Sequence, residues 1–327
     1  MKNTFKDNLS TNSDTDTFLL SSVRSSTPLN KHVTFDNDKL MIVRNHHFDA
    51  KVNFIGMNGL LDLESFVGKI SPYTALVPGC PHRNFELVET AELEWEIPLD
   101  DDGHEDRYLS SREFFQFYPI APSLMRIDVD ASNDTPESAW EKLCTIDPAL
   151  KTVGRLVTHS ELSHIRNERT GELLTGADRF HIYCLVADGL DIARYACALH
   201  IRSAIKGFDK IEYTERDEYH FKSFVRIPVC YPDEFILESP PTLAKGLVQE
   251  KPPIQAYPGE ILDTHKFSDP DIHEEYAYAN NTIDALMQYP QLYQRVAHSN
   301  EIENFRTSVK NRNWISQIYV SNDHPEQ

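Results

Sequence analysis

The sequence predicts an α+β protein, with a mostly antiparallel sheet and helices packed on one face. Three observations lead there. The middle of the chain runs strand, helix, strand, strand, helix, strand, strand by pattern. The strand candidates are short and rich in β-branched and aromatic residues, as in RFHIYCLV (179–186). The two helix candidates carry their own start signals, and the second its own stop.

Taken in order, residues 1–30 are dense in Ser, Thr, Asn and Asp and read as a flexible tail. Short strands are expected at 39–44 and 73–78, and ELEWEIPL (92–99) alternates acidic and apolar residues as a half-buried strand does. An acidic loop, DDDGHED, follows, and the prolines at 119 and 122 set off a fresh strand that ends in SLMRIDVD (123–130). DTPESAWEKLCTI (134–146) is a helix capped by Asp134 or Thr135, with Pro136 in its first turn and Glu137 and Glu141 toward its positive end. TVGRLVTHS (152–160) reads as a strand, 167–179 as a hairpin or loop, and 179–186 as a strong strand. Residues 188–207 form a helix capped by Asp188 or Asp191 and stopped by Gly207. Strands are expected at 210–215 and 222–230, an irregular proline-rich wrap follows from 231, and helices run from 271 to about 318, broken at Pro290.

Composition bounds the function. The 327 residues suit about two domains, and 40% hydrophobic content supports real cores. No stretch approaches the roughly 18 apolar residues of a membrane helix. The N-terminus lacks an apolar signal core, so a cytoplasmic location is expected. Five scattered cysteines form no C-x-x-C pair, which disfavours a zinc or disulfide framework. His46, His47, Cys80 and His82 lack further spaced ligands and are read as structural. The net charge of −19 counts against a broad nucleic-acid surface and leaves room only for a local basic groove.

The aspartates of SLMRIDVD pose the functional question. On a strand, Asp128 and Asp130 share one face while Ile127 and Val129 point to the other. Like charges so placed raise each other's pKa unless a cation sits between them, and a hard divalent metal suits two carboxylates. The plain alternative is two solvated aspartates at a strand end. On RFHIY, Arg179 and His181 likewise share a face, and a guanidinium with an imidazole suits a triphosphate. The plain alternative there is an exposed strand face. No G-x-x-x-x-G-K-[ST] motif is present.

MRIDVD, a helix, RLVTHSELSHIRNERTGE and GADRFHIYCLVADGLDIARYACAL, in that order, resemble the archaeo-eukaryotic primase superfamily, particularly primase domains of phage, plasmid and integrated-element replication proteins. The resemblance covers roughly 70–265 and includes GEILDT (259–264) after the proline-rich wrap. It implies an RRM-like sheet joined to a smaller α/β unit, and template-directed nucleotidyl transfer that makes a primer. It implies two Mg²⁺ or Mn²⁺ ions on Asp128 and Asp130, and an incoming nucleoside triphosphate on His181, Arg179 and Ser160. Single-stranded DNA is the implied template, with Arg194, Arg202 and Lys206 (and Lys210 beyond them) as backbone contacts and a replicative helicase as partner. The implied division is a tail at 1–30, a primase-like domain at 31–265, and a linker with helical tail at 266–327.

One departure matters. The family pattern places a third carboxylate after basic–Ser–apolar–apolar; here Lys222, Ser223, Phe224 and Val225 are followed by Arg226, which cannot ligate a metal. Glu212 or Asp217 would have to substitute, or the second ion is lost. Two readings therefore stand: a primer-making polymerase, and a catalytically degenerate module that binds single-stranded DNA, nucleotide or a partner helicase. A metal-dependent nuclease lacks its usual accompanying lysine or H-N-H-like loop, and HSELSH (159–164) is too widely spaced for a rolling-circle initiator.

Overall fold

The computed structural model describes residues 17–36, 39–43, 47–83, 86–87, 90–96, 115–118, 121–130, 134–176, 179–213, 219–225 and 231–287. Two four-stranded antiparallel sheets dominate. The first is built from β1 (Thr17–Ser25), β2 (His47–Asn58), β3 (Thr74–Val77) and β4 (Thr90–Glu96), ordered β3-β1-β2-β4, with α1 (Gly59–Val67) leaving the end of β2. The second contains β5 (Ser123–Asp130), β6 (Arg155–His159), β7 (Arg179–Val186) and β8 (Gln255–Tyr257), ordered β5-β7-β6-β8. Between β5 and β6 comes α2 (Pro136–Ile146), after β7 comes α3 (Ile192–Ile205), and α4 (Ile272–Met287) packs on α3. The fold is thus α+β with small antiparallel sheets and few helices.

The alternation read from SLMRIDVD and RFHIYCLV sorts the second sheet into two faces. Met125, Ile127, Val129, Val157, Phe180, Ile182, Cys184 and Val186 are buried under α2 and α3, against Trp140, Leu143, Tyr195 and Leu199. Each such large apolar side chain contributes about 1.5–3 kcal/mol when fully buried. On the opposite face, Leu124, Leu156, Tyr183 and Leu185 pack against Phe18, Leu20, Leu63 and Leu76 of the first sheet and α1. Beyond those apolar contacts, toward Asp130, this second face turns polar.

Local signals hold where the chain can satisfy them nearby. Thr135 caps α2 in a reciprocal pair with Ser138, and Pro136 sits in the first turn. Asp188 accepts from the amide of Leu190 at the 3₁₀ turn that opens into α3. Elsewhere the structure corrects the sequence reading. The tail expected over 1–30 contains β1, an interior strand of the first sheet; residues 1–16 lie outside the described residues. Two serines interrupt its apolar pattern, yet buried Ser21 donates to the carbonyl of Gly79 at 2.7 Å, so the strand keeps its place in the core. The strand expected at 222–230 is displaced: the described strand is Tyr219–Lys222, paired with Lys210–Tyr213, residues 223–225 are not in a strand, and residues 226–230 lie outside the described residues. The proline-rich wrap contributes the sheet edge β8, and α4 covers the start of the expected C-terminal helices. No described helix is long and apolar enough to cross a membrane.

Candidate functional site

The polar patch lies at the end of the second sheet where β5 finishes and β7 begins. Antiparallel register places Asp128 directly opposite His181, and Asp130 directly opposite Arg179. Thr158 lies opposite His181 from the other side, on β6. Directly opposed residues share a face, so the two aspartates, Arg179, His181 and Thr158 all belong to the face turned away from α2 and α3. Ser160 follows the end of β6, and its amide donates to the carbonyl of Arg179 at 3.0 Å. The sequence-derived metal and nucleotide residues are thereby brought to one end of one sheet.

His181 is the hub. Its Nε2 is 3.2 Å from Oδ1 of Asp128, and its Nδ1 is 2.6 Å from Oε1 of Glu238. The Tyr183 hydroxyl donates to the same Glu238 oxygen at 2.5 Å. Glu238 arrives from the proline-rich wrap, and its side chain is 1% exposed. Four residues earlier, Glu234 meets buried Arg126 at 3.4 Å, and Arg126 also donates to the carbonyl of Phe235 at 3.3 Å. The wrap is therefore pinned to this face by two carboxylates reaching two cations.

The charges answer one another. Burial disfavours a charged His181, but the carboxylates of Glu238 and Asp128 outweigh it and raise its pKa to about 9. Burial would raise the Glu238 carboxyl; His181 and the Tyr183 hydroxyl hold it below its usual value. Burial and Glu238 both push the Tyr183 phenol far upward, so it stays neutral. At neutral pH the hub is a histidinium between two carboxylates. Beside it, burial depresses His159 to about 4, with His164 adding to the effect at 4.9 Å between ring centroids. The Thr158 hydroxyl, on a residue 2% exposed, has no hydrogen-bond partner among the described residues.

A metal is implied on Asp128 and Asp130; of these, the side chain of Asp130 lies outside the described residues. Oε1 of Glu238 is taken by His181 and Tyr183. Among the described residues, no group of three His, Cys, Asp or Glu side chains could hold a metal ion. Arg226, at the position of the third carboxylate, and the suggested substitute Asp217 lie outside the described residues, as does the side chain of the other substitute, Glu212.

The helix cations are placed differently from the strand residues. Arg194 binds Asp191 at 2.6 Å, Asp269 at 2.8 Å and the carbonyls of Thr264 and Phe267. Arg202 binds Glu274 at 2.8 Å and Ser268, with its guanidinium 4.4 Å from the centre of the Phe267 ring. Both hold the segment after β8 onto α3; Lys206, at the end of α3, is exposed.

No family model, curated protein or solved structure matches the chain. Its own geometry therefore carries the functional argument. Sequence reasoning missed Glu238, Tyr183 and Arg126, whereas Thr158 lies within THS (158–160), whose polar residues the sequence places at the same pocket. The available signal for Glu238 was an acid inside an otherwise buried run, FILESPP, stiffened by the prolines after it.

Proposed function

We propose that the chain is a primer-making polymerase of the primase-superfamily type. Its reaction would be template-directed nucleotidyl transfer, in the replication of a phage, plasmid or integrated element and hence in the cytoplasm. The supporting observation is the register that sets Asp128 opposite His181 and Asp130 opposite Arg179, residues of one face of the sheet. In chain order β5, α2, β6, β7, α3 follow a βαββα path, with β7 between β5 and β6, as an RRM-like sheet requires. A fourth strand beside β5 is not among the described residues, and β8 occupies the opposite edge.

On this reading Asp128 and Asp130 would hold Mg²⁺ or Mn²⁺. When bound, the ion supplies positive charge to phosphoryl oxygens and lowers the pKa of an attacking hydroxyl. His181 and Arg179 hold the triphosphate, and the Thr158 hydroxyl, without a hydrogen-bond partner among the described residues, offers one further donor beside them. Ser160, just after β6, lies beside Arg179. Single-stranded template would meet a local surface such as Lys206 rather than Arg194 or Arg202, whose donors already serve carboxylates. A replicative helicase remains the natural protein partner.

The second reading, a degenerate module that binds DNA, nucleotide or helicase, is favoured by the closed state of Glu238. Incorporation of labelled NTPs and dNTPs on single-stranded templates, with Mg²⁺ or Mn²⁺, separates the two. Synthesis by wild type that vanishes in Asp128→Ala/Asp130→Ala supports the polymerase. A silent wild type that still binds nucleoside triphosphate or single-stranded DNA selects the module.

A further inference from the structure

We propose that Glu238 is a positioning residue for the nucleotide site: with Tyr183 it fixes the ring of His181 so that Nε2 faces Asp128 and the incoming triphosphate. This deepens the primase reading and rests on it. The nucleotide contact itself comes from His181; Glu238 acts through it.

The geometry is specific. An imidazole on a strand can rotate about two side-chain bonds, and one hydrogen bond leaves it able to swing. Here Nδ1 is held at 2.6 Å by an oxygen that is itself held at 2.5 Å by the Tyr183 hydroxyl. Tyr183 lies two residues along β7 from His181, on the same face, so the strand spaces the histidine and the tyrosine. The third corner, Glu238, is inaccessible to solvent and is carried on a segment fixed at Ile236, which exchanges backbone hydrogen bonds with Leu76 at 3.1 and 2.8 Å. Oε1 of Glu238 therefore has little freedom, and the ring inherits that restriction. With Nδ1 taken, Nε2 is the nitrogen left for Asp128 and for phosphate oxygen. A carboxylate behind an imidazole sets the orientation of ring and proton in this way wherever a histidine must present one nitrogen.

The alternative is that Glu238 only pins the wrap to the sheet. Glu234 provides the internal control, because from the same segment it reaches a different cation, Arg126, at 3.4 Å.

The test compares wild type with Glu238→Ala, Glu238→Gln, Tyr183→Phe and Glu234→Ala. Affinity for α,β-methylene-ATP and α,β-methylene-dATP is measured with Mn²⁺, together with KM and kcat for nucleotide incorporation and the ¹⁵N and ¹H signals of the His181 ring. Positioning predicts that Glu238→Ala loses the protected Nδ1–H signal and weakens nucleotide affinity by about ten- to a hundred-fold, with the loss in KM more than in kcat. Glu238→Gln, which can still accept from Nδ1–H, recovers most of the affinity even if Glu238→Ala folds poorly. Tyr183→Phe falls between, and Glu234→Ala matches wild type in nucleotide affinity. Lowered thermal stability with unchanged affinity and an unchanged His181 signal in Glu238→Ala overturns the proposal and leaves a structural pin. A wild type that binds neither nucleotide overturns the nucleotide-site reading and the positioning role with it.

Discussion

Asp128 and His181 face each other across one rung of an antiparallel ladder, with Oδ1 3.2 Å from Nε2. The contact is mostly shielded: the two side chains are 16% and 11% exposed. Asp128→Ala is expected to cost about 1–3 kcal/mol of stability, the range for losing one partner of a buried charged hydrogen bond. Asp128→Asn keeps the shape and a polar atom and should cost less. Urea denaturation in the absence of divalent ions reads this directly, and an alanine variant as stable as wild type would show that the rung is not held by this contact.

Arg202 reaches Glu274 and Ser268 and lies over the Phe267 ring, joining α3 to the segment that leads into α4. Arg202→Ala should destabilise by about 1–3 kcal/mol and raise hydrogen exchange across 272–278. Affinity for single-stranded DNA should not change. Reduced DNA affinity at full thermal stability would instead return Arg202 to the template-binding role read from the sequence.

His159 should make the fold sensitive to mild acid. Its pKa is about 4 in the folded protein and near 6.5 when unfolded, so the folded state favours the neutral ring. The unfolded chain takes the proton first as pH falls. The contribution of His159 is complete above pH 6.5 and is lost progressively toward pH 4. Denaturation midpoints at pH 7, 5.5 and 4.5 should fall more steeply for wild type than for His159→Gln; equal slopes would place the acid sensitivity elsewhere.

Gly259 and Gly154 allow the chain leaving β8 to lie against the turn before β6. A Cβ on Gly259 would collide with the backbone nitrogen of Gly154 and stand 2.5 Å from the carbonyl oxygen of Thr152. The same turn is tied by Glu260, whose amide donates to that carbonyl at 2.8 Å. Gly259→Ala should cost about 1–3 kcal/mol, the usual range for forcing atoms into a packed site. Thermal melts of Gly259→Ala and of Gly171→Ala provide the comparison, because a Cβ at Gly171 meets open space, although its positive φ of 72° carries its own smaller penalty.

Burial pushes the thiols of Cys80, Cys184 and Cys197 up to about 12. These three should react with Ellman's reagent at pH 8 only after unfolding in guanidinium. Rapid reaction of any of them in the folded protein would mean that its surroundings open locally.

What the sequence revealed depended on how local the cause was. RFHIYCLV is a strand from Arg179 to Val186 because β-branched and aromatic side chains suit a pleated surface whatever lies beside it. α2 begins where Thr135, Pro136 and Ser138 place it, since a capping box is settled within four residues. The polar face was legible for the same reason: period two fixes Asp128 with Asp130 and Arg179 with His181. β1 was hidden because the neighbouring polar residues dominate its composition, while its place in the sheet is secured by strands 25 or more residues away. Glu238 could not be found from spacing at all. Its partner is 57 positions earlier, and nothing in FILESPP says which strand it will meet. Arg202 looked available on a helix surface because its carboxylate, Glu274, comes 72 residues later, and Arg194 because Asp269, 75 residues later, adds to its local partner Asp191.

The reach of the proline-rich wrap sets an order of events during synthesis. A ribosome that has released residues up to 186 has made β5, β6 and β7, so Asp128 and His181 can already pair. Glu238, which completes the environment of His181, follows 57 residues later, and β8, which closes the sheet edge, later still. Bridging an interval of that length costs loop-closure entropy that only the finished contacts repay. A nascent chain halted between 186 and 238 would thus carry Asp128 and His181 paired but without Glu238, and the polar end of the sheet would be completed last.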